Sequence, residues 1–171
     1  MIHDSDPFEV PVADRHPVRR FRGRLPAPVT VVTAGSGKTA TGLTVSSLMV
    51  ADGEPSMVWF LCGHNADLGD VIRSTGGFVV HALDAGDEVL ADRFAGIRPS
   101  PGGLFADLVV EPGVRGPVLT ELPNRLACRF VAATDVGWYL LIEGVIEDLV
   151  VGDPEDPLLR YRGHYRRLRD H

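Results

Sequence analysis

Short runs of β-branched and apolar residues alternate with turn clusters along most of the chain, and this pattern predicts a mainly β protein. Two such runs, at 29–34 and 39–45, flank the turn cluster 35–38 and predict a β-hairpin. An apolar run at 57–62 and another at 78–83 predict two further strands. Runs of this length, bounded by glycine and proline, fit strands better than helices.

Two segments between the predicted strands have helical spacing instead. Residues 66–74 place apolar side chains on one face, with Asn65 as the expected N-cap and Gly76-Gly77 as the stop. Residues 86–94 repeat this arrangement over a second short helix. Both segments are short, so they are expected to be insertions between strands rather than the main layer of the fold.

The second half of the chain predicts a loop at 95–103 and two β-rich runs at 126–134 and 138–151, joined by a turn at 135–137. Many short strands with only two helices between them predict a closed or nearly closed β-barrel with helical insertions. Strict alternation of strands and helices is absent, which argues against a Rossmann sheet.

The length of 171 residues fits a single domain, preceded by a short arm. Residues 1–14 are polar, have no periodicity and predict a mobile or loosely docked arm. We therefore expect an N-terminal arm at 1–20 and one domain at 21–171.

Charge is distributed unevenly along the chain, whose net charge is −6. Residues 25–156 carry 18 acidic and seven basic side chains, whereas five arginines lie in 1–24 and five in 157–171. An acidic body argues against nucleic-acid binding, which needs a broad basic surface. The terminal arginines either pair with the acidic body or bind a small anion, and charge alone leaves both alternatives open.

The two cysteines, Cys62 and Cys128, form no CxxC pattern, which argues against a zinc ribbon or a redox pair. Cys128 is expected to be a buried strand thiol. No apolar window is long enough to span a membrane, and the acidic first ten residues do not resemble a secretory signal. The expected location is therefore the cytoplasm, with both thiols reduced.

Two glycine- and hydroxyl-rich stretches are candidates for ligand binding. Residues 35–40 fit the G-x-G-x-x-A pattern of dinucleotide-binding loops. The Thr, Val and Gly content of 39–46 opposes the helix that this pattern requires, so a hairpin turn is the preferred interpretation. Residues 41–47 offer a row of hydroxyl and backbone donors, either to one ligand or to solvent along an edge strand.

Four segments together resemble the flavin reductase-like family of FMN-binding split barrels, which includes reductase components of two-component monooxygenases. They are PVTVVT at 28–33, TGLTVSSL at 41–48, GFVVHAL at 77–83 with LADRFAG at 90–96, and PLLRYRGHY at 157–165. The resemblance spans about residues 21–168. It implies a homodimer of mainly β, Greek-key-like split barrels with short helical insertions, and a flavin near the subunit interface.

The resemblance also implies which residues form the flavin site. Residues 44–47 would line the flavin ring and ribityl chain, 62–65 would hold the phosphate at a helix start, and 81–83 would flank the ring. The apolar strand residues around His81 also fit a hydrogen-bonded core histidine, and both alternatives stay open. Arg162 and Tyr165 would close the pocket, and His164 beside them is a candidate clamp for an anion or a ring. The full set is Thr44, Val45, Ser46, Ser47, Cys62, Gly63, His64, Asn65, His81, Ala82, Leu83, Arg162, His164 and Tyr165.

The implied chemistry is hydride transfer from NADH or NADPH to FMN or FAD, possible without an acid, base or nucleophile from the protein. Accordingly, no catalytic residue and no metal ligand is assigned. Residues 137–139 read Gly-Trp-Tyr where the family often has Gly-Asp-His, and Trp138 and Tyr139 either stack on a ring or serve as core or interface aromatics.

Four functions are compatible with these residues. The first is an NAD(P)H-dependent flavin reductase, in which a monooxygenase component is the implied partner. The second is a flavin carrier, sensor or redox partner without turnover. A split barrel with another donor such as a deazaflavin, and a purely structural barrel, are the other two.

Overall fold

The computed structural model of the protein describes residues 16–153 and 155–168, so the arm expected at 1–14 lies outside it. The described residues form three α-helices, which are α1 (Pro17–Arg22), α2 (Asp67–Thr75) and α3 (Glu88–Phe94), and one turn of 3-10 helix at Gly37–Thr39. They also form twelve strands, which are β1 (Ala27–Pro28), β2 (Thr30–Ala34), β3 (Thr41–Val45), β4 (Met49–Ala51), β5 (Met57–Gly63), β6 (Gly77–Ala82), β7 (Val110–Pro112), β8 (Pro117–Leu119), β9 (Arg125–Val136), β10 (Tyr139–Val150), β11 (Leu159–Tyr161) and β12 (His164–Arg166).

Seven antiparallel strands form the main sheet, in the order β3-β2-β6-β9-β10-β5-β4. The edge strands β3 and β4 are neighbours in sequence, joined only by residues 46–48. Such a linker spans at most about 14 Å, whereas seven flat strands would be about 29 Å across. The sheet must therefore curl until its edges meet, which makes it the predicted barrel. Smaller sheets, β1-β11-β12 and β7-β8, flank it.

Two apolar cores lie on opposite faces of the sheet. The first fills the barrel beneath α2, and in it Phe60 and Phe78 meet edge to face with ring centroids 5.4 Å apart. The second lies outside the barrel, where Phe94 of α3 packs with Val31 and Leu158. Strand β2 lies between the cores, and for this reason all five of its residues are buried.

Strand β3 and helix α3 approach each other closely at Gly42 and Thr44. A Cβ atom on Gly42 would lie 2.6 Å from the Phe94 ring, so only glycine fits between strand and helix. Two residues later, the Thr44 hydroxyl donates to the carbonyl of Ala91 at 2.6 Å. At Gly42 and Thr44, the TGLTVSSL motif therefore packs β3 against α3. The rest of the motif continues to the edge of the barrel.

Most of the predicted elements are confirmed, including the hairpin, the two helices and the two long strands β9 and β10. The turn at 35–38 is confirmed as the hairpin connection. Asn65 as N-cap is wrong, because α2 begins one residue later, behind Ala66. The β9–β10 turn is tighter than predicted and contains only Gly137 and Trp138. The expected boundary between residues 20 and 21 falls inside α1.

In the described part of the chain, no helix reaches the length and apolarity needed to cross a membrane. Both cysteines are free and fully buried, and Cys128 lies in β9 as expected. Burial raises the pKa of the Cys128 thiol to about 12.

Candidate functional site

An open cleft of about 720 Å³ lies where the edges of the curled sheet meet. The end of β3 and residues 46–48 form its floor, and β1, α1 and the β11–β12 hairpin form its walls. Leu61 and Gly63 of β5, Ala95 and Ile97 after α3, and Tyr139 of β10 complete the lining. The cleft is therefore a gap in the barrel wall that several separate parts of the sequence surround.

Backbone donors are the main polar groups of the floor. Among the described residues, no hydrogen bond engages the amides of Ser46, Ser47 and Leu48. The Ser46 side chain is exposed and carries a hydroxyl without a protein partner in the same range. Three successive N–H groups and one hydroxyl are thus available to a ligand, because the strand ladder ends at Val45.

The other two hydroxyls of this segment are already engaged. Thr44 bonds to α3, and the Ser47 Oγ accepts a hydrogen bond from the Leu61 N–H at 2.9 Å. Both residues line the cleft with their backbone. Of the four hydroxyl and apolar residues predicted at 44–47, Ser46 alone offers a hydroxyl that is not committed to the fold.

Tyr165 stands in the cleft wall in a fixed orientation. Its hydroxyl donates to Oδ1 of Asp92 at 2.9 Å, and the Arg160 guanidinium lies 5.0 Å above its ring centroid. Burial and the bond to Asp92 raise the pKa of Tyr165 to about 12. The phenol therefore stays protonated at neutral pH and presents a neutral ring.

Positive charge is concentrated on the cleft. Arg19 and Arg22 of α1 and Arg160 and Arg162 of the β11–β12 hairpin line it. Among the described lining residues there is no aspartate or glutamate. In a chain whose net charge is −6, this arrangement marks the cleft as a place for an anion.

Half of the predicted site residues line this cleft, namely Thr44, Val45, Ser46, Ser47, Gly63, Arg162 and Tyr165. The other half do not, namely Cys62, His64, Asn65, His81, Ala82, Leu83 and His164. His164 is exposed on β12, where side chains alternate, so its neighbour Tyr165 faces the cleft instead.

The segment 62–65 is a poor phosphate site. Cys62 points into the barrel core, and burial raises its pKa. Nε2 of His64 lies 3.5 Å from Oδ1 of Asp135, so the ring faces a carboxylate. The first turn of α2 carries Asp67 and Asp70, which oppose the anion that a helix start would otherwise attract.

Residues 81–83 serve the core rather than the cleft. His81 is fully buried, with Nε2 accepting from the Leu119 N–H at 3.0 Å. Nδ1 therefore carries the proton and donates to the Val31 carbonyl at 3.2 Å. Burial lowers the pKa of His81 to about 4. Leu83 belongs to the second core, and the exposed Ala82 lies outside the cleft.

Sequence reasoning did not assign Arg19, Arg22, Arg160 or Tyr139 to the site, although stacking of Tyr139 on a ring was one of the two alternatives for that residue. The arginine excess at both chain ends was the available signal, but the sequence does not show that α1 and the β11–β12 hairpin meet. In the described ranges, no group of three or more His, Cys, Asp or Glu side chains is placed to hold a metal ion.

Comparison with known proteins shows the family to which this chain belongs. The model of the flavin reductase like domain matches residues 22–169. The reductase component of 4-hydroxyphenylacetate 3-monooxygenase from Thermus thermophilus is 32% identical over 146 residues, covering 85% of this chain and 91% of that protein. The NADH-dependent FMN reductase AsuE2 of Streptomyces nodosus subsp. asukaensis is 32% identical over 171 residues, covering 98% and 91%.

A solved structure shares the architecture. The NADH:FAD oxidoreductase SgcE6 of Streptomyces globisporus C-1027, in complex with NAD and FAD fragments, superposes with a TM-score of 0.81. It is 26% identical, and the match covers 94% of this chain and 96% of that one. The family that the four sequence segments indicated is thus confirmed, together with the predicted fold: this chain belongs to the flavin reductase like domain family.

Proposed function

We propose that this chain is an NAD(P)H-dependent flavin oxidoreductase that supplies reduced FMN or FAD to a separate monooxygenase. The observation that carries the proposal is the arginine-lined cleft at the meeting edges of the barrel, in a chain that matches the family over residues 22–169. Relatives named as an NADH-dependent FMN reductase and as a monooxygenase reductase component support the activity and the partner.

The cleft residues fit a flavin nucleotide. The free amides of 46–48 suit a ring edge made of carbonyl oxygens and nitrogens, and the arginines suit the phosphate. The volume of about 720 Å³ lies within the range of about 300–1,000 Å³ typical of ligand sites. Val45, Ser46, Ser47, Gly63, Arg162 and Tyr165 are the residues that we assign to flavin contact.

When bound, the flavin supplies the redox chemistry by accepting a hydride from the nicotinamide. The chain contributes binding and orientation, because no histidine, cysteine or carboxylate appears among the described lining residues. The free amides of 46–48 would place partial positive charge beside a bound flavin ring. This charge would favour the reduced flavin, which is more negative than the oxidised one. Tyr165 adds a rigid neutral wall and keeps its phenolic proton near neutral pH, because its pKa is raised to about 12.

A second copy of the chain is the proposed cover of the cleft. Edge strand β4 exposes Met49 and Val50 at 60% and 55%, and α1 exposes Phe21 at 65% on the neighbouring wall. An unpaired apolar edge is a binding surface unless something covers it. We expect a homodimer in which the partner subunit packs on β4 and narrows the opening. The cytoplasm is the proposed compartment, since both thiols are free.

Sedimentation of paired variants tests the homodimer. Val50→Asp should shift the protein to monomer and weaken FMN binding, because the charge would be buried at the interface. Val114→Asp is the matched control, since Val114 is 96% exposed at the β7–β8 turn. A Val50→Asp protein that stays dimeric, or a wild-type monomer, would contradict the expected interface.

Anaerobic mixing of the purified chain with FMN and NADH or NADPH tests the activity. We expect nicotinamide oxidation to accelerate when flavin is present and to stop when it is omitted. Flavin binding without nicotinamide oxidation would instead indicate a carrier, sensor or redox partner. Oxidation of a reduced deazaflavin alone would indicate a different donor.

A further inference from the structure

The described arginines differ in whether they form salt bridges. Of the ten that lie away from the cleft, five pair with a described carboxylate, for example Arg73 with Asp70 at 3.2 Å and Arg129 with Glu147 at 3.1 Å. The four on the cleft form no salt bridge with any described residue. Within the described part of the chain, the guanidinium charges that line the cleft are thus not paired with a carboxylate.

Two of the four cleft arginines are held in position by tyrosines. Arg22 donates from Nη1 to the Tyr139 hydroxyl at 3.3 Å, and its guanidinium carbon lies 5.5 Å from that ring centroid. Arg160 lies over Tyr165 in the same manner. Stacking on a ring orients a guanidinium without neutralising its charge, so its remaining N–H groups stay available.

The two elements that carry the arginines are joined directly. The Arg162 N–H donates to the Gly23 carbonyl at 2.7 Å, immediately after the end of α1. Arg162 and Gly163 both have positive φ, 52° and 81°, which makes the tight turn between β11 and β12. This bond places the turn against α1, so that both pairs of arginines belong to one wall of the cleft. We call Arg19, Arg22, Arg160 and Arg162 the arginine wall.

The opposite end of the cleft offers no rival anion site. Beyond Gly63, the chain enters a three-residue turn and then the acidic first turn of α2, with Asp67 and Asp70. His64, the one ionisable base in that turn, faces Asp135. A phosphate at that end would meet net negative charge, whereas at the arginine wall it would meet up to four cations.

We propose that the arginine wall is the phosphate-recognition site for the nucleotides that this protein binds. The inference rests on the proposed function and adds Arg19 and Arg22 of α1 to the residues assigned to ligand binding. Guanidinium groups match phosphate oxygens with paired N–H donors, and an ester dianion satisfies several arginines at once. Two sources of this group are possible, namely the phosphate of the flavin and the extra 2′-phosphate of NADPH.

Binding measurements with phosphate-free and phosphorylated ligands separate the two sources. The proteins are wild type, the double variant Arg19→Gln/Arg22→Gln, the variant Arg160→Gln and the control Arg73→Gln, whose arginine is exposed on the outer side of α2. Calorimetric titration with FMN and with riboflavin measures how much the flavin phosphate contributes to affinity. Titration with NADPH and with NADH measures the contribution of the 2′-phosphate. Thermal unfolding of each apoprotein checks that the substitutions leave the fold intact.

Losing a charge-assisted hydrogen bond weakens binding by about tenfold to a hundredfold. If the wall holds the flavin phosphate, the wall variants lose FMN affinity by that factor while riboflavin affinity stays constant. If it holds the 2′-phosphate, they lose the preference for NADPH over NADH and keep FMN affinity. Raising the salt concentration should weaken wild-type binding of the affected ligand more than that of the variants.

Two affinity ratios decide the outcome, FMN over riboflavin and NADPH over NADH. The inference is overturned if the wall variants change neither ratio, or if Arg73→Gln changes the ratios equally. Its failure is distinguishable from failure of the proposed function. If the protein prefers FMN over riboflavin through these arginines but never oxidises NAD(P)H, the phosphate site is supported and the proposed function is wrong. If the protein reduces flavin normally and the wall variants leave both ratios unchanged, the proposed function is supported and the phosphate site is wrong.

Discussion

The Ser47 hydroxyl is bonded to the backbone of Leu61 on both sides: it accepts from the N–H at 2.9 Å and donates to the carbonyl at 3.4 Å. Ser47 follows β3 and Leu61 lies in β5, two strands that meet only because the sheet curls. The Ser47 side chain thus links two strands that are joined elsewhere in the barrel by backbone hydrogen bonds. It closes the wall immediately beside the free amides of the cleft floor.

Ser46 and Ser47 therefore predict opposite results for two similar substitutions. Ser47→Ala leaves the Leu61 amide without its acceptor and should lower the free energy of unfolding by about 1–2 kcal/mol. Ser46→Ala should leave that free energy within about 0.5 kcal/mol and weaken FMN binding. Urea unfolding and FMN titration of both variants measure this. Equal stability of the two proteins would contradict the structural role of Ser47.

Gly42→Ala should destabilise the protein because the added methyl group would overlap the Phe94 ring at 2.6 Å. Overpacking of this kind costs about 1–3 kcal/mol, read from the urea midpoint. Gly86→Ala is the matched control, since a Cβ there meets nothing within 4 Å. If both variants unfold at the same urea concentration, then α3 does not press on β3 as described.

His81 predicts a loss of stability in mild acid. Its pKa falls from the usual 6.5 to about 4 in the fold, so the folded state favours the neutral ring. The contribution is complete above pH 6.5 and is lost as pH falls toward 4, up to about 3 kcal/mol. Urea midpoints at pH 7.5 and 4.5 measure the loss. His81→Gln should flatten this dependence even if it is less stable at neutral pH; an unchanged slope would exclude His81 as its cause.

Tyr165 predicts a second dependence, in alkali. Its pKa is raised from the usual 10 to about 12, so the folded state favours the protonated phenol. The contribution is complete below pH 10 and is lost as pH rises toward 12. Tyr165→Phe should reduce the fall in urea midpoint between pH 9 and 11, compared with wild type. Tyr161→Phe serves as the control, and an equal effect of both variants would contradict the prediction.

The barrel was predictable because its long strands have a clear pattern in the sequence. Strands β5, β9 and β10 are long apolar or alternating runs, and periodicity finds such runs. The missed strands β1, β4, β7, β8, β11 and β12 are two or three residues each, too short for any period to show. Their pairing depends on contacts across the sequence, such as Ala27 with Arg160.

The candidate site was only partly predictable, for a different reason. Residues 44–47 reach the cleft because they follow a predicted strand to its end. His81 was assigned from a segment that resembles the family, but the strand order places a second core on its side of the sheet. The arginine wall needed the contact between Gly23 and Arg162, which no local pattern reveals.

The bond between Gly23 and Arg162 also sets an order of assembly. Helix α1 is synthesised before the strands of the seven-stranded sheet and the β11–β12 hairpin after them, so the two can meet only after all strands of that sheet have been synthesised. A truncated product ending before residue 159 keeps all strands of that sheet but lacks Arg160 and Arg162. The arginine wall is therefore complete only after synthesis has passed Arg162, later than the last strand of the seven-stranded sheet.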